Sequence, residues 1–296
     1  MSKFLQKFGW FLALVILLNL MYLLVLVLFS PGFKKIYQIS QIRNQKFEVL
    51  ALGNSLALDG IDAEYLTKNG INTYNLAVAG SHVATSLLIL EDYLKHNQKP
   101  KLVIVGLSAA YGKAYLNKVP FNNPEVEFFY HPNWKENITN PPLMNFQWLS
   151  VDLLKIIISK DHRNATLVKG QWKTKKTIPD NTVYKGNSNS VIDYTDPYLS
   201  KIVDLCRKNR INIILTELPG SNNTRNDLPF VYEATLKDNT KFPVFNLNNY
   251  AISSGIIDSS KDWLGVNHLN QFGGEKITRY LLENVIHNSE ITKIKE

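Results

Sequence analysis

The chain has 296 residues, 45% of them hydrophobic, with a formal charge of +8. That is enough apolar material for a substantial buried core, and it excludes a disordered or collagen-like chain. The positive charge is scattered without a Lys/Arg block or nucleic-acid motif, which argues against nucleic-acid binding and leaves anionic neighbours such as phospholipid headgroups or anionic glycopolymers.

Between Lys7 and Lys34 no residue is charged, and Asn19 and Ser30 are the notable polar interruptions. About 22 residues at 1.5 Å each cover roughly 33 Å, enough to cross the hydrocarbon core of a bilayer. A cleaved signal peptide would have a shorter apolar run, about 7–15 residues, followed by a small-x-small site. The expectation is an uncleaved signal anchor over residues 1–33, single-pass in the cell membrane. The lysines on its two flanks barely discriminate orientation; the short N-terminal tail favours an extracytoplasmic C-terminal part. Residues 34–46 read as a juxtamembrane linker.

From Phe47 short apolar runs alternate with amphipathic stretches, the pattern of an α/β domain with a mainly parallel sheet, here expected over 47–288. Strands are expected at 47–53, 71–79, 101–108, 211–220 and 243–247, with helices at about 61–69, 85–96, 197–209 and 271–287. Residues 109–195, rich in aromatic, Asn and Pro residues, interrupt this rhythm with a helix candidate at 147–160. They read as a cap or substrate-lining insertion, most of whose aromatics (Tyr111, Tyr115, Phe128, Phe129, Tyr130, Trp134, Trp148) pack the cap. Residues 289–296 form a charged tail. Cys206, the only cysteine, rules out an intramolecular disulfide and reads as a small core residue.

Ser55, in LALGNSLALDG, follows the first buried strand, where α/β sheets present active groups, and Gly53 permits a tight turn there. His268, in DWLGVNHLNQFGGEKIT, stands just before the last helix. A serine after the first strand and a histidine before the last helix meet at one sheet edge, the geometry that nucleophilic catalysis needs. Asp59 and Asp62 read as helix first-turn carboxylates. His82, His131 and His162 lack paired-ligand spacing, so neither a metal nor another cofactor is expected.

With these segments in place, the chain resembles the SGNH (GDSL-like) hydrolase superfamily over roughly 47–287. GNSL at 53–56 is similar to its first block and implies Ser55 as nucleophile. NLAVAGS at 75–81 is similar to the second and implies an oxyanion N–H from Gly80 beside that of Ser55. His268-Leu269-Asn270 with Gly273 resembles the last block of membrane-anchored surface-polysaccharide members. In the third block, GLSAAYG at 106–112, Ser108 is the nearest polar candidate for the usual asparagine. Three residues before His268 stands Gly265, so the acid expected to complete the triad is Asp262, with Asp258 or a backbone carbonyl as alternatives. The resemblance implies a three-layer α/β/α fold of flavodoxin-like type and a serine esterase or O-acyltransferase acting on cell-envelope glycopolymer, with a multi-spanning membrane acyltransferase as a possible partner. A catalytically degenerate glycan-binding or assembly subunit is the alternative.

Overall fold

The computed structural model describes residues 2–108, 123–130, 139–158, 165–186, 189, 192–265 and 267–287. The chain divides into two compact units, Met1–Gln41 with Pro124–Arg163, and Ile42–Asn123 with Asn164–Glu296.

In the first unit α1 spans Ser2–Phe29, and its stretch Lys3–Phe29 is long and apolar enough to cross a membrane. Of the residues 34–46 expected as a linker, 42–46 belong to the second unit and 34–40 lie in a second helix, α2 (Pro31–Ser40). Pro31 at its first turn stops α1, because proline lacks the N–H that a continuing helix would use. Its Phe33, Ile36 and Ile39 are buried, a spacing of three that closes one apolar face.

The second unit holds β1 (Val49–Gly53), α3 (Ser55–Gly60), α4 (Ala63–Lys68), β2 (Thr73–Asn75), α5 (Val83–His96) and β3 (Leu102–Leu107). The chain then returns to the first unit for α6 (Pro124–Tyr130), α7 (Pro142–Asn145) and α8 (Leu149–Ile158). The helix expected at 147–160 is therefore α8, and it lies in the unit of the N-terminal helix. Back in the second unit come β4 (Ala165–Val168), β5 (Gln171–Thr174), α9 (Pro197–Lys208), β6 (Asn212–Glu217), β7 (Val231–Thr235), β8 (Lys241–Asn246), α10 (Tyr250–Ile256), β9 (Trp263–Gly265), β10 (His268–Leu269) and α11 (Gln271–Leu281). A π-helical turn, Leu282–Ile286, ends α11. Tyr111, Tyr115, Trp134, His131, His162 and the tail 289–296 lie outside the described residues.

Six strands form the main sheet in the order β2-β1-β3-β6-β8-β7, parallel except for β7, which pairs antiparallel with β8. Every residue of β1 and β3 is buried, as central parallel strands require. β2 is only three residues long, yet beyond Asn75 the N–H groups of Leu76 and Val78 still donate to Ala51 O and Gly53 O of β1. β7 escaped expectation: Val231, Glu233 and Thr235 are exposed, so this edge strand lacks the apolar run that marks a central one. The strand order reverses at β1, and in open α/β sheets the crevice at such a reversal, beyond the carboxyl ends of the strands, is where ligands bind.

Candidate active site

Two glycines set the geometry at the carboxyl end of the sheet. Gly53 pairs with Gly106 across β1 and β3. A Cβ on Gly53, whose φ is +144°, would stand 2.5 Å from Ala57 Cβ and 2.6 Å from Gly106 O. One on Gly106 would meet Ala57 Cβ at 2.8 Å. Without side chains at these positions α3 settles directly onto the strand ends through Ala57. A helix of six residues has no independent stability. Leu58 and Ile61, at most 2% exposed, hold it in the core with Leu218, Trp263, Leu269 and Ile277; each such side chain is worth about 1.5–3 kcal/mol on burial.

The start of α3 is fixed by Asn54, whose Oδ1 accepts from Leu56 N–H at 3.0 Å and whose Nδ2 donates to Ser108 Oγ at 2.7 Å. Buried Asn75 ties down the other end, donating to the carbonyls of Ala57 (2.8 Å) and Ile61 (2.9 Å). Helix therefore begins at Ser55 itself, where a turn was expected. A consequence follows at once: Asp59, four residues on, shares a helix face with Ser55.

His268 comes from the far end of the second unit. It pairs with Gly265 in the short β9–β10 ladder, which has a register irregularity between His268 and Leu269. Asn270 caps α11 by accepting from the N–H groups of Phe272 and Gly273, and its Nδ2 donates to Lys261 O at 2.6 Å. Gly273 is needed because a Cβ there would stand 2.5 Å from Asp262 O. The Asn and Gly of HLN-x-x-G thus shape the loop that carries the histidine.

In that loop His268 Nδ1 lies 2.8 Å from Asp59 Oδ2. With Nδ1–H donating to the carboxylate, Nε2 is left as the basic nitrogen of the neutral ring. Asp59 is 7% exposed; burial raises its carboxyl above the ordinary value, and the hydrogen bond and charge of His268 pull it part of the way back. Asp59 O also accepts from Gln171 Nε2 at 3.1 Å.

Ser55, Asp59 and His268 line one cleft of about 350 Å³, together with Leu58, Ala79, Trp172, Leu264 and Gly265. No direct hydrogen bond joins Ser55 Oγ to His268 among the described residues; the two line the same cleft.

The carboxylate expected to serve His268 is placed differently. Asp262, 2% exposed, accepts from Lys276 Nζ at 2.6 Å and from Asp258 N–H at 2.8 Å, so it braces the loop from below. Asp258 is occupied by Ser260 and Lys261. The imidazole meets Asp59 because that residue rides on the same helix as Ser55, whereas Asp262 is tied to α11. Ser108 accepts from Asn54 and lines a cavity of about 50 Å³ with Leu56, Leu218 and Asn267. Gly80 occupies the turn next to Ala79 with φ +67°. Asp62, read as a helix carboxylate, caps α4 through Tyr65 N–H and accepts from Lys173 Nζ at 2.7 Å.

Trp172, absent from the sequence-based candidates, reaches the cleft on the β4–β5 hairpin. Lys173 anchors that hairpin, bridging Asp62 and Glu64 at 2.7 Å each and holding the Glu64 carboxyl down to about 2. The only signal available was the alternation in Gln171-Trp172-Lys173-Thr174 inside a segment read as a cap. Among the described residues no cluster of His, Cys, Asp and Glu has the makings of a metal site. Compared with known proteins, the chain matches no family model and no curated protein.

Proposed function

We propose that the chain is a membrane-anchored serine esterase or O-acyltransferase of SGNH type, with its α/β unit built in three layers, and that Ser55, His268 and Asp59 are its catalytic triad. Ser55 Oγ attacks the ester carbonyl carbon while His268 Nε2 takes the hydroxyl proton. Asp59 holds the ring in the Nδ1–H tautomer and stabilises the imidazolium that forms. The Ser55 N–H, at the first residue of α3, faces the developing oxyanion, with Gly80 as the second donor that the family resemblance implies. Collapse of the tetrahedral intermediate breaks the C–O bond, and His268 returns its proton to the leaving alcohol. Water then resolves the acyl-enzyme in an esterase; a sugar or polyol hydroxyl does so in an acyltransferase.

One observation carries this reading: a carboxylate 2.8 Å from the imidazole, on the same helix face as the serine, with all three groups on one cleft. The coupling is specific, because a buried carboxylate is costly unless something uses it. Cell-envelope glycopolymer as substrate and a multi-spanning acyltransferase as partner follow from the resemblance together with the apolar N-terminal helix. Trp172 supplies the cleft with a flat apolar wall of the kind that sugar rings and acyl chains pack against.

The test is active-site labelling. A fluorophosphonate should label the wild-type protein in its membrane and leave Ser55→Ala unlabelled. Absence of labelling in the wild type, or equal labelling of both, would favour a glycan-binding subunit that retains the fold alone.

A further inference from the structure

In the first unit the face of α1 formed by Asn19, Tyr22, Leu23 and Leu26 is covered by α7 and α8, while Leu14, Leu17, Leu18, Met21, Leu24 and Leu28 remain exposed. The covering pair is itself apolar outward. Leu143, Met144, Trp148, Val151, Leu154 and Ile158 are 45–80% exposed, and the last three recur every three or four residues along α8, with Trp148 just before it. In water this would be a large uncovered patch.

The polar groups at the helix breaks are treated as they would have to be away from water. The N–H of Leu143, at the start of α7, donates to Asn19 Oδ1 at 2.9 Å, and Asn19 Nδ2 donates back to Val15 O at 2.9 Å. Between α7 and α8, Phe146 O accepts from Tyr22 OH at 2.7 Å, and Ser150 Oγ lies 2.9 Å from the same hydroxyl. Asn19 thus satisfies a first-turn N–H of α7, and Tyr22 adds a second bond to Phe146 O, which already accepts from Leu149 N–H. Beneath the breaks Phe146 stacks edge-on against Phe33 and Phe128, and Leu149 and Leu153 join Leu26 in one buried cluster.

We propose that α7 and α8 are a second membrane element: a helix pair immersed beside α1 in the leaflet where α1 ends, with its exposed apolar side against lipid acyl chains. The patch continues the exposed apolar surface of α1, and that continuity identifies its occupant as lipid rather than a second protein. The 28 residues of α1 extend about 42 Å, close to the ~40–45 Å of a bilayer with its headgroup layers, so the turns that carry Tyr22 to Phe29 reach the headgroup region. A helix that lies in the plane of the interface carries its apolar side about 5–10 Å into the membrane. The inference rests on α1 as the anchor and is independent of the chemistry proposed for Ser55.

Cys206 is buried and its thiol is pushed up to about 12 by burial, so a maleimide fluorophore can be directed to introduced cysteines in the full-length protein. Val151→Cys, Leu154→Cys and Ile158→Cys would be labelled in vesicles of phosphatidylcholine and phosphatidylglycerol, with Leu24→Cys reporting on α1 and Lys201→Cys as an exposed control. Acyl-chain spin labels should quench positions 24, 151, 154 and 158, and aqueous iodide only position 201. Iodide quenching at 151, 154 and 158 with lipid quenching at 24 would overturn the inference and leave the anchor standing. Iodide quenching at 24 as well would overturn both. Shielding of 151, 154 and 158 from both quenchers would mean a protein covers the patch, and would overturn it too.

Discussion

Asp59 is the residue on which the candidate site turns, and its burial yields a prediction that separates activity from stability. Because burial raises its carboxyl above the unfolded value of about 3.9, the folded state holds this proton more tightly than the unfolded chain. The contribution of Asp59 to stability therefore falls as pH rises from the unfolded value to the raised folded one, and is constant beyond it. Asp59→Asn removes that fall. Compared by urea unfolding over this range, the variant should gain on the wild type as pH rises and be at least as stable near neutrality; a variant less stable at neutral pH than in acid, relative to wild type, would contradict it. Such a trade of stability for function is common where a site needs a buried charge. In the sequence Asp59 looked like any carboxylate near a helix start. The missing signal was the helix boundary: with α3 beginning at Ser55, positions 55 and 59 become neighbours, whereas a helix beginning near residue 61 leaves them unrelated.

Elements were legible where burial leaves a pattern. The central strands β1, β3 and β6 announced themselves as apolar runs, and α5, α9 and α11 by helical spacing. β7, an edge strand with its outer side chains in water, did not, and neither did the β4–β5 hairpin, whose docking depends on Lys173 reaching Asp62 and Glu64, carboxylates more than a hundred residues earlier. The glycine pair shows how an element acquires its function from packing. A Cβ on Gly53 collides with backbone as well as side chain, and backbone cannot give way cheaply. Gly53→Ala should therefore cost about 1–3 kcal/mol from overpacking, more with its strained φ, read as a lowered denaturation midpoint. It should also slow fluorophosphonate labelling, because α3 can accommodate the methyl only by lifting Ser55 from the sheet edge. A variant with wild-type midpoint and labelling rate would mean that α3 does not depend on this contact.

At the scale of the molecule, what the residues alone conveyed was a division of labour: an apolar N-terminal helix, then an α/β part with a serine near its start and a histidine near its end. What they did not convey was that the chain leaves the α/β unit after Asn123 and returns near Asn164, giving its intervening helices to the unit of α1. Aromatic and Pro-rich composition describes a cap and a membrane-facing helix pair equally well, and no local spacing marks Asn19 and Tyr22 as the α1 residues that meet Leu143 and Phe146. The imidazole's partner was hidden for a related reason, since the contact spans 209 residues of chain and no local spacing encodes it. The most direct test of that contact is the rate of fluorophosphonate labelling in Asp59→Asn beside Asp262→Asn, each in folded, membrane-reconstituted protein. Loss of the acid that orients a catalytic histidine costs about 10⁴-fold in a serine triad; a loss of that order is predicted for Asp59→Asn, with Asp262→Asn retaining most of the wild-type rate. The reverse order, or equal rates in the two variants, would contradict a triad built on Asp59.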